Sequence, residues 1–463
     1  MNFWKIELNT FDIWVYLGIL IIIFLLSNTL RRKIKIIRNS LLPTAIIAGI
    51  ITLILKSIGL FDTLVNVEKM DSLLESITYH ALGIGVVALA LKSNEKSANK
   101  EANKDILNAG LITVNTYLIQ AIVGVIVTVA LAFLVMKDLL PAAGFLLPLG
   151  FGQGSGQALN FGSLFQNEYS FVGGSSFGLM IATIGFLVAC IVGVIHINIM
   201  RKKGTIKIKD EVSFESKEVL QSPNEVPASD AVDRLTIQIS LIMLVYFMTF
   251  LFMYGIESLP LGNFGTNTLK PLIWGFNFLI GAIFASILKL IFKKLRNTNI
   301  MTRDYPNDYL LNRISGFMFD LMIITGTAAI QIKVLKSLIL PLIILTIIGT
   351  ITTYFYVKKL AYKLFPKYKE ESFVSLFGML TGTTSTGMIL LREVDSNFET
   401  PAANNIVYQS FYAIAFGFPL FLLLGIAPKG MVHTLISLGI VVLMFVIFNL
   451  ILFRDQILKK KNA

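Results

Sequence analysis

The chain has 463 residues, of which 55% are apolar and 15% are charged, and its formal net charge is +12. Repeated apolar runs of about twenty residues are each long enough to cross the hydrocarbon core of a bilayer, so the composition predicts an all-α polytopic membrane protein embedded in lipid. The positive charge does not indicate nucleic-acid binding, because lysine and arginine concentrate in short loops between apolar runs, as in the cytoplasmic loops of membrane proteins.

Apolar runs follow one another along the whole chain. Thirteen are recognised, at about 12–30, 41–60, 78–91, 106–136, 139–165, 172–200, 235–256, 270–292, 314–332, 335–357, 372–391, 403–426 and 431–453. The first stretch, MNFWKIELNT, lacks the basic region of a cleaved signal peptide, so the first run is predicted to remain as a transmembrane helix. The single cysteine, Cys190, excludes an intrachain disulfide and a cysteine metal cluster.

The positions of lysine and arginine predict the topology, since short loops rich in these residues stay in the cytoplasm. The cluster RRKIKIIR at 31–38 places the amino terminus outside and makes the acidic loop 61–77 an outer loop. If the run 139–165 crossed the membrane fully, the cluster RKKGTIKIK at 201–209 would lie outside. Re-entrant hairpins at 139–165 and 372–392 instead place most of the 40 lysines and arginines, and the carboxyl terminus, in the cytoplasm.

Five crossings in each half give the second half the opposite orientation, so the sequence predicts two inverted repeats. The first repeat has five transmembrane helices at 1–200, with its re-entrant segment at about 139–165, and a cytoplasmic linker follows at 201–233. The second repeat has five transmembrane helices at 234–426, with its re-entrant segment at about 372–392. An extra carboxyl-terminal transmembrane helix with a basic tail is predicted at 427–463.

Internal similarity favours the same division. Gly154, in GFGQGSGQ, corresponds to Gly382, in GMLTGTTSTG, and Pro43 corresponds to Pro271, each opening an apolar run. Both pairs have the same separation along the chain. Inverted repeats are the architecture of many secondary transporters, whose substrate site lies near the bilayer midplane where two broken segments meet.

The two glycine-rich segments are the candidate site, because non-helical backbone at membrane depth is tolerated only where protein or water satisfies it. Glycine permits positive φ and close ligand approach, half-helix amino termini attract anions, and unwound carbonyls and hydroxyls coordinate sodium. The predicted substrate-binding residues are Gly154, Ser155, Gly156, Gln157, Thr383, Thr384, Ser385 and Thr386, and the predicted Na⁺-binding residues are Gln153, Asn160, Asp320 and Thr381.

Two charged residues need separate interpretation, because charge inside a span is costly. Asp320 is an acid well inside a predicted span. There it either coordinates sodium, or binds a proton if the coupling ion is different, or is a structural acid paired with a polar neighbour. Arg392 either binds a substrate carboxylate or forms a local ion pair with Glu393 or Asp395.

The segments GFGQGSGQALNFGSLFQNEYSF, LLPTAIIAGIITLIL, YHALGIGVVALALK and GMLTGTTSTGMILLREVDSNF resemble the sodium:glutamate symporter family over about residues 10 to 425. The resemblance implies two inverted repeats with paired re-entrant segments, Na⁺ as the coupling ion with no organic cofactor, and sodium-coupled import of glutamate or a related anionic amino acid by alternating access. It also implies a bacterial inner membrane, and it leaves a homodimer open.

The chain departs from the family's pattern at several positions. Gln153 replaces the histidine of the first signature, Ser155 its threonine, and Ser385 the proline of the second, while the run 431–453 lies beyond the family's usual end. These changes affect the substrate rather than the scaffold, so sodium- or proton-coupled transport of another small organic anion stays open.

Other classes of protein fit the sequence less well. The spacing of Gly150, Gly152, Gly154 and Gly156 also matches GxxxG helix packing, as in a receptor or structural protein without transport, and a channel would use the same polar hairpins. Ser155 lacks the glycines two positions on either side that a GxSxG elbow requires, and HExxH and P-loop motifs are absent from the sequence, which favours a protein that is not an enzyme.

Overall fold

A computed structural model describes most of the chain. The described residues are 3–4, 9–62, 65–92, 100–205, 231–260, 262, 265, 269–301, 305–396 and 398–454. Across these ranges the backbone forms helices joined by turns and contains no strand, so the predicted all-α class is confirmed. Most of the predicted linker, 206–230, and the basic tail, 455–463, lie outside the described residues.

The helices follow the apolar runs, and each run overlaps at least one of them. In the first half they are α1 (Thr10–Lys33), α2 (Lys35–Asn39), α3 (Thr44–Ser57), α4 (Val67–Leu91), α5 (Lys100–Leu134), α6 (Leu146–Gln153), α7 (Ser155–Glu168) and α8 (Gly174–Lys202). In the second half they are α9 (Ala231–Ser258), α10 (Lys270–Gly275), α11 (Asn277–Asn297), α12 (Asp308–Ala328), α13 (Ile332–Leu335), α14 (Ile339–Leu364), α15 (Lys369–Thr381), α16 (Thr384–Arg392), α17 (Ala402–Leu423) and α18 (Met431–Leu452).

Eight helices within the described ranges are long and apolar enough to cross a membrane. Large apolar side chains cover the outward faces of the peripheral helices, for example Trp14 on α1, Phe247 on α9 and Leu443 on α18. A soluble monomer rarely exposes apolar surface on this scale, whereas hydrocarbon solvates it well. The chain is therefore a polytopic helical membrane protein.

Helix α4 begins earlier than the sequence analysis predicts. The prediction of an outer loop over 61–77 is wrong in its second part, because α4 starts at Val67. Asn66 caps this helix by accepting a hydrogen bond from Lys69 N at 3.0 Å. The helix carries Asp71 into the protein, where Lys56 of α3 neutralises it with an Nζ to Oδ1 distance of 2.6 Å. Apolar periodicity alone does not identify this part of the helix, because the charge of Asp71 interrupts the apolar pattern and its buried partner is known only from the fold.

The two halves have matching element boundaries. Helices α6 and α15 end at Gln153 and Thr381, and helices α8 and α17 begin at Gly174 and Ala402, so both pairs of boundaries have the same separation along the chain. The contacts match as well, since α3 packs on α12 while its counterpart α11 packs on α4. These observations support the predicted repeat, and the opposite orientation of the two halves stays a prediction.

The core surrounds two short pairs of helices, α6 with α7 and α15 with α16. Phe151 and Phe161 of the first pair, and Phe373 and Phe377 of the second, are completely buried. Helices α5 and α8 contact both pairs, and α6 also contacts α15 directly. The two glycine-rich segments therefore lie side by side in the interior between the two halves.

The predicted cytoplasmic position of residues 201–233 can be tested at Thr205, which is exposed just after α8. In a Cys190→Ser background, we expect a Thr205→Cys variant to react with a membrane-impermeant thiol reagent only from the cytoplasmic side. The native thiol is buried, so it should contribute little labelling of its own in the starting protein.

The matched control for this experiment is Val172→Cys, because Val172 is exposed between α7 and α8 and is predicted to face outside. We expect this variant to be labelled in intact cells. Labelling of position 205 in intact cells would contradict the hairpin topology.

Candidate functional site

The first break separates α6 from α7 at a single residue. Gly154 has φ of +84° and ψ of −172°, a conformation that glycine adopts readily and residues with a Cβ avoid. The chain therefore stops one helix at Gln153 and begins the next at Ser155. The last carbonyls of α6 and the first amides of α7 consequently lose their helical hydrogen-bond partners within the protein interior.

The second break separates α15 from α16. Thr381 ends α15, Gly382 and Thr383 connect the helices, and α16 begins at Thr384. Thr383 is extended and caps α16, since its Oγ1 accepts a hydrogen bond from Thr386 N at 3.3 Å. A Cβ on Gly382 would lie 3.0 Å from Gly378 O, so glycine allows the close turn at this point.

The two breaks lie next to each other. A Cβ added to Gly154 would lie 3.6 Å from Thr383 Cγ2, and Phe186 of α8 and Met322 of α12 line the same spot at 3.8 Å. Helix α8 approaches both breaks at Gly185, where a Cβ would lie 2.4 Å from Thr381 O. Two segments from different halves of the chain therefore form one site in the core.

The first break supplies buried polar groups that lack partners. Ser155, Gln157 and Asn160 are at most 3% exposed. Ser155 Oγ, Gln157 Oε1 and Asn160 Oδ1 have no hydrogen-bond partner among the described residues, although Asn160 Nδ2 donates to Gly275 O at 3.2 Å. A buried polar group left unpaired costs about 1–3 kcal/mol, so a ligand that satisfies these atoms would gain that free energy.

The second break is more open than the first. Thr381 and Thr386 are buried, and Thr381 Oγ1 donates to Phe377 O at 2.8 Å. Thr383 is half-buried, whereas Thr384 and Ser385 are exposed in the first turn of α16. The accessible side of the paired breaks is therefore the surface at Thr384 and Ser385.

Three further candidates have different positions. Gln153 is half-buried at the end of α6, and Gly156 packs in α7, where a Cβ would lie 2.7 Å from Met322 Sδ. Asp320 is exposed on α12, and the charge that acts on it is Arg31 of α1. The structure brings Gln153 and Gly156 to the breaks, and it does not bring Asp320 there.

The acidic neighbours of Arg392 have other partners. Glu393 Oε2 lies 3.2 Å from Arg201 Nη2, and Asp395 accepts hydrogen bonds from Glu399 N and from both the amide and the hydroxyl of Thr400. Arg392 is exposed at the last turn of α16. Neither Glu393 nor Asp395 therefore forms the local ion pair with Arg392 that the sequence analysis considers.

Sequence reasoning missed two side chains of α5 that contact both breaks. Tyr117 OH donates to Gly152 O at 3.1 Å, near the end of α6. Gln120 Nε2 donates to Leu380 O at 3.0 Å, near the end of α15. The feature of the sequence that could have indicated Gln120 is a polar side chain inside the apolar run 106–136. This feature does not single out Gln120, because Asn108 and Asn115 lie in the same run.

The fold and the site define a class: a polytopic helical membrane protein in which two broken helix pairs meet in the core. Comparison with protein-family models and with curated proteins finds no match for the chain. The family resemblance therefore rests only on the four sequence segments from which it is described.

Proposed function

We propose that the protein is a secondary active transporter that imports glutamate or a related anionic amino acid together with sodium. The observation that carries this proposal is the proximity of Gly154 to Thr383, whose Cγ2 would lie 3.6 Å from a Cβ at position 154, because it brings two helix breaks together in the interior of a membrane protein. Irregular backbone at this depth requires either protein or ligand partners, and transporters use such breaks as binding sites.

The four helix ends at the breaks have complementary electrostatics. The amino termini of α7 and α16 carry partial positive charge and attract an anion, while the carboxyl termini of α6 and α15 carry partial negative charge and attract a cation. The free oxygens of Ser155, Gln157 and Asn160 lie on the first turns of α7. This arrangement supports binding an anionic substrate and a sodium ion close together.

Alternating access is favoured over a channel by the uneven exposure of the two breaks. Ser155 and Gln157 are closed off by packing, whereas Thr384 and Ser385 are exposed. A continuous pore would expose polar groups on both sides of the constriction. A site open on one side is the arrangement expected of one state in a transport cycle.

Uptake into proteoliposomes tests this function. With an inward sodium gradient, we expect radiolabelled glutamate, or another small organic anion in a screened panel, to accumulate above its external concentration. Replacing sodium by potassium should abolish the accumulation if sodium is the coupling ion. Equilibration without accumulation would indicate a channel, and an absence of any flux across the panel would contradict transport.

A further inference from the structure

Gln120 lies between the two breaks and hydrogen-bonds to only one of them. Its side chain is completely buried on α5. Nε2 donates to Leu380 O at 3.0 Å and to Thr353 Oγ1 at 2.9 Å. Because Leu380 O can only accept, the nitrogen of this amide must face α15, and the orientation of the amide is thereby fixed.

The other atom of the amide faces the first break without a partner. A Cβ added to Gly152 would lie 3.3 Å from Gln120 Oε1, so the oxygen lies against the last turn of α6. No described residue donates a hydrogen bond to Oε1, and the atom is buried. A fully buried acceptor that is oriented by two hydrogen bonds on the same amide is a preorganised ligand atom.

The electrostatic surroundings of this oxygen favour a positive ligand. Both α6 and α15 end beside Gln120, and the carboxyl end of a helix carries partial negative charge. The first of the two ends is held by Tyr117 OH through Gly152 O, and the second by Gln120 itself. Amide and carbonyl oxygens in such a place are the ligands that sodium uses in broken-helix transporters.

We propose that Gln120 Oε1 is a direct ligand of a sodium ion bound between the carboxyl-terminal turns of α6 and α15. The inference rests on the proposed function, and it adds an ion ligand on α5, outside both glycine-rich segments. Because the same amide bonds to α15 and faces α6, the ion at this position stabilises one relative arrangement of the two breaks. Gln120 thereby makes the positions of both breaks depend on sodium occupancy.

Gln120→Met tests the proposal, because methionine keeps the length of the side chain and removes the oxygen. We expect the sodium concentration for half-maximal uptake to rise about tenfold or more, the change expected when a buried bond to a charged group is lost. The rise in melting temperature that Na⁺ alone gives to the purified protein, measured against choline at constant ionic strength, should shift to higher sodium by the same factor.

Asn115→Leu is the matched control. Asn115 is a fully buried amide on the same helix, but its Oδ1 faces Asn449 Nδ2 of α18 at 3.5 Å instead of the breaks. This variant should leave the sodium dependence unchanged. An unchanged sodium constant in Gln120→Met, with sodium still stabilising the wild type, would overturn the role of Gln120 and leave the proposed function intact.

Gln120→Glu keeps the proposal testable if the methionine variant does not fold. A protonated carboxyl group can donate to Leu380 O as the amide does, and its deprotonated form attracts a cation more strongly. We therefore expect this variant to bind sodium more tightly at alkaline than at acidic pH, relative to the wild type. A sodium constant without this added pH dependence would overturn the proposal, and wild-type protein insensitive to sodium in both assays would reject sodium coupling itself.

Discussion

Replacing Gly154 with valine should abolish uptake while the protein still inserts and purifies as a monodisperse species. The positive φ of this residue costs a β-branched side chain about 1–3 kcal/mol. The added methyl groups would also occupy the space between the two breaks, since Thr383 and Met322 lie within 4 Å of a Cβ at this position. Proteoliposome uptake and size-exclusion chromatography together measure both expectations.

Two comparisons separate strain from lost function. Gly154→Ala adds only a Cβ, whose nearest neighbour would be at 3.6 Å, so it should impair uptake less than valine does. Gly439→Val on α18 adds the same side chain where nothing lies within 4 Å, and it should transport normally. A Gly154→Val protein that melts early yet transports at the wild-type rate would mean that this segment only packs helices.

Replacing Lys56 with methionine should cause the largest loss of stability. Lys56 Nζ lies 2.6 Å from Asp71 Oδ1 and donates to Ala328 O at 2.6 Å, and both charged side chains are almost completely buried. Breaking a buried ion pair by removing one partner costs about 3–5 kcal/mol, because the remaining charge is buried without compensation. The free energy of unfolding in detergent micelles is the measurement.

The double variant Lys56→Met with Asp71→Leu checks the cause of this loss. Replacing both partners of a buried pair by apolar groups is often neutral, so the double variant should recover most of the stability. In the double variant Ala328 O, the last carbonyl of α12, still loses the ammonium donor, and the side chain of Gln331 loses its carboxylate acceptor. Equal destabilisation of the single and double variants would show that packing, rather than charge, holds α3 to α4 and α12.

Lys56 also fixes part of the first half to the second, through its hydrogen bond to Ala328 O. Lys56 and Asp71 belong to α3 and α4, and Ala328 ends α12. A few residues before this end, α12 lies against the first break, where a Cβ on Gly326 would lie 2.8 Å from Ser155 Cβ. We infer that Lys56 helps to hold α12 against α7.

The sequence by itself determined the class of the protein and the location of the breaks. Helix formation and membrane insertion follow from local apolar composition, which needs no knowledge of packing. The glycine-rich, polar segments around Gly154 and Gly382 were recognisable for the same reason, since they interrupt runs that would otherwise be continuous. The structure ends α6 and α15 at the residues before these two glycines.

Only the tertiary structure decided which side chains meet at the breaks. The proximity of Gly154 to Thr383 and the bond from Gln120 to Leu380 O each bring together residues from different halves of the chain, and no local pattern encodes such a separation. Asp320 has the carboxylate chemistry of an ion ligand, but it lies exposed, because its side of α12 is not the side that packs on α7. Local chemistry selects candidate residues, and the packing of helices selects which of them can share a ligand.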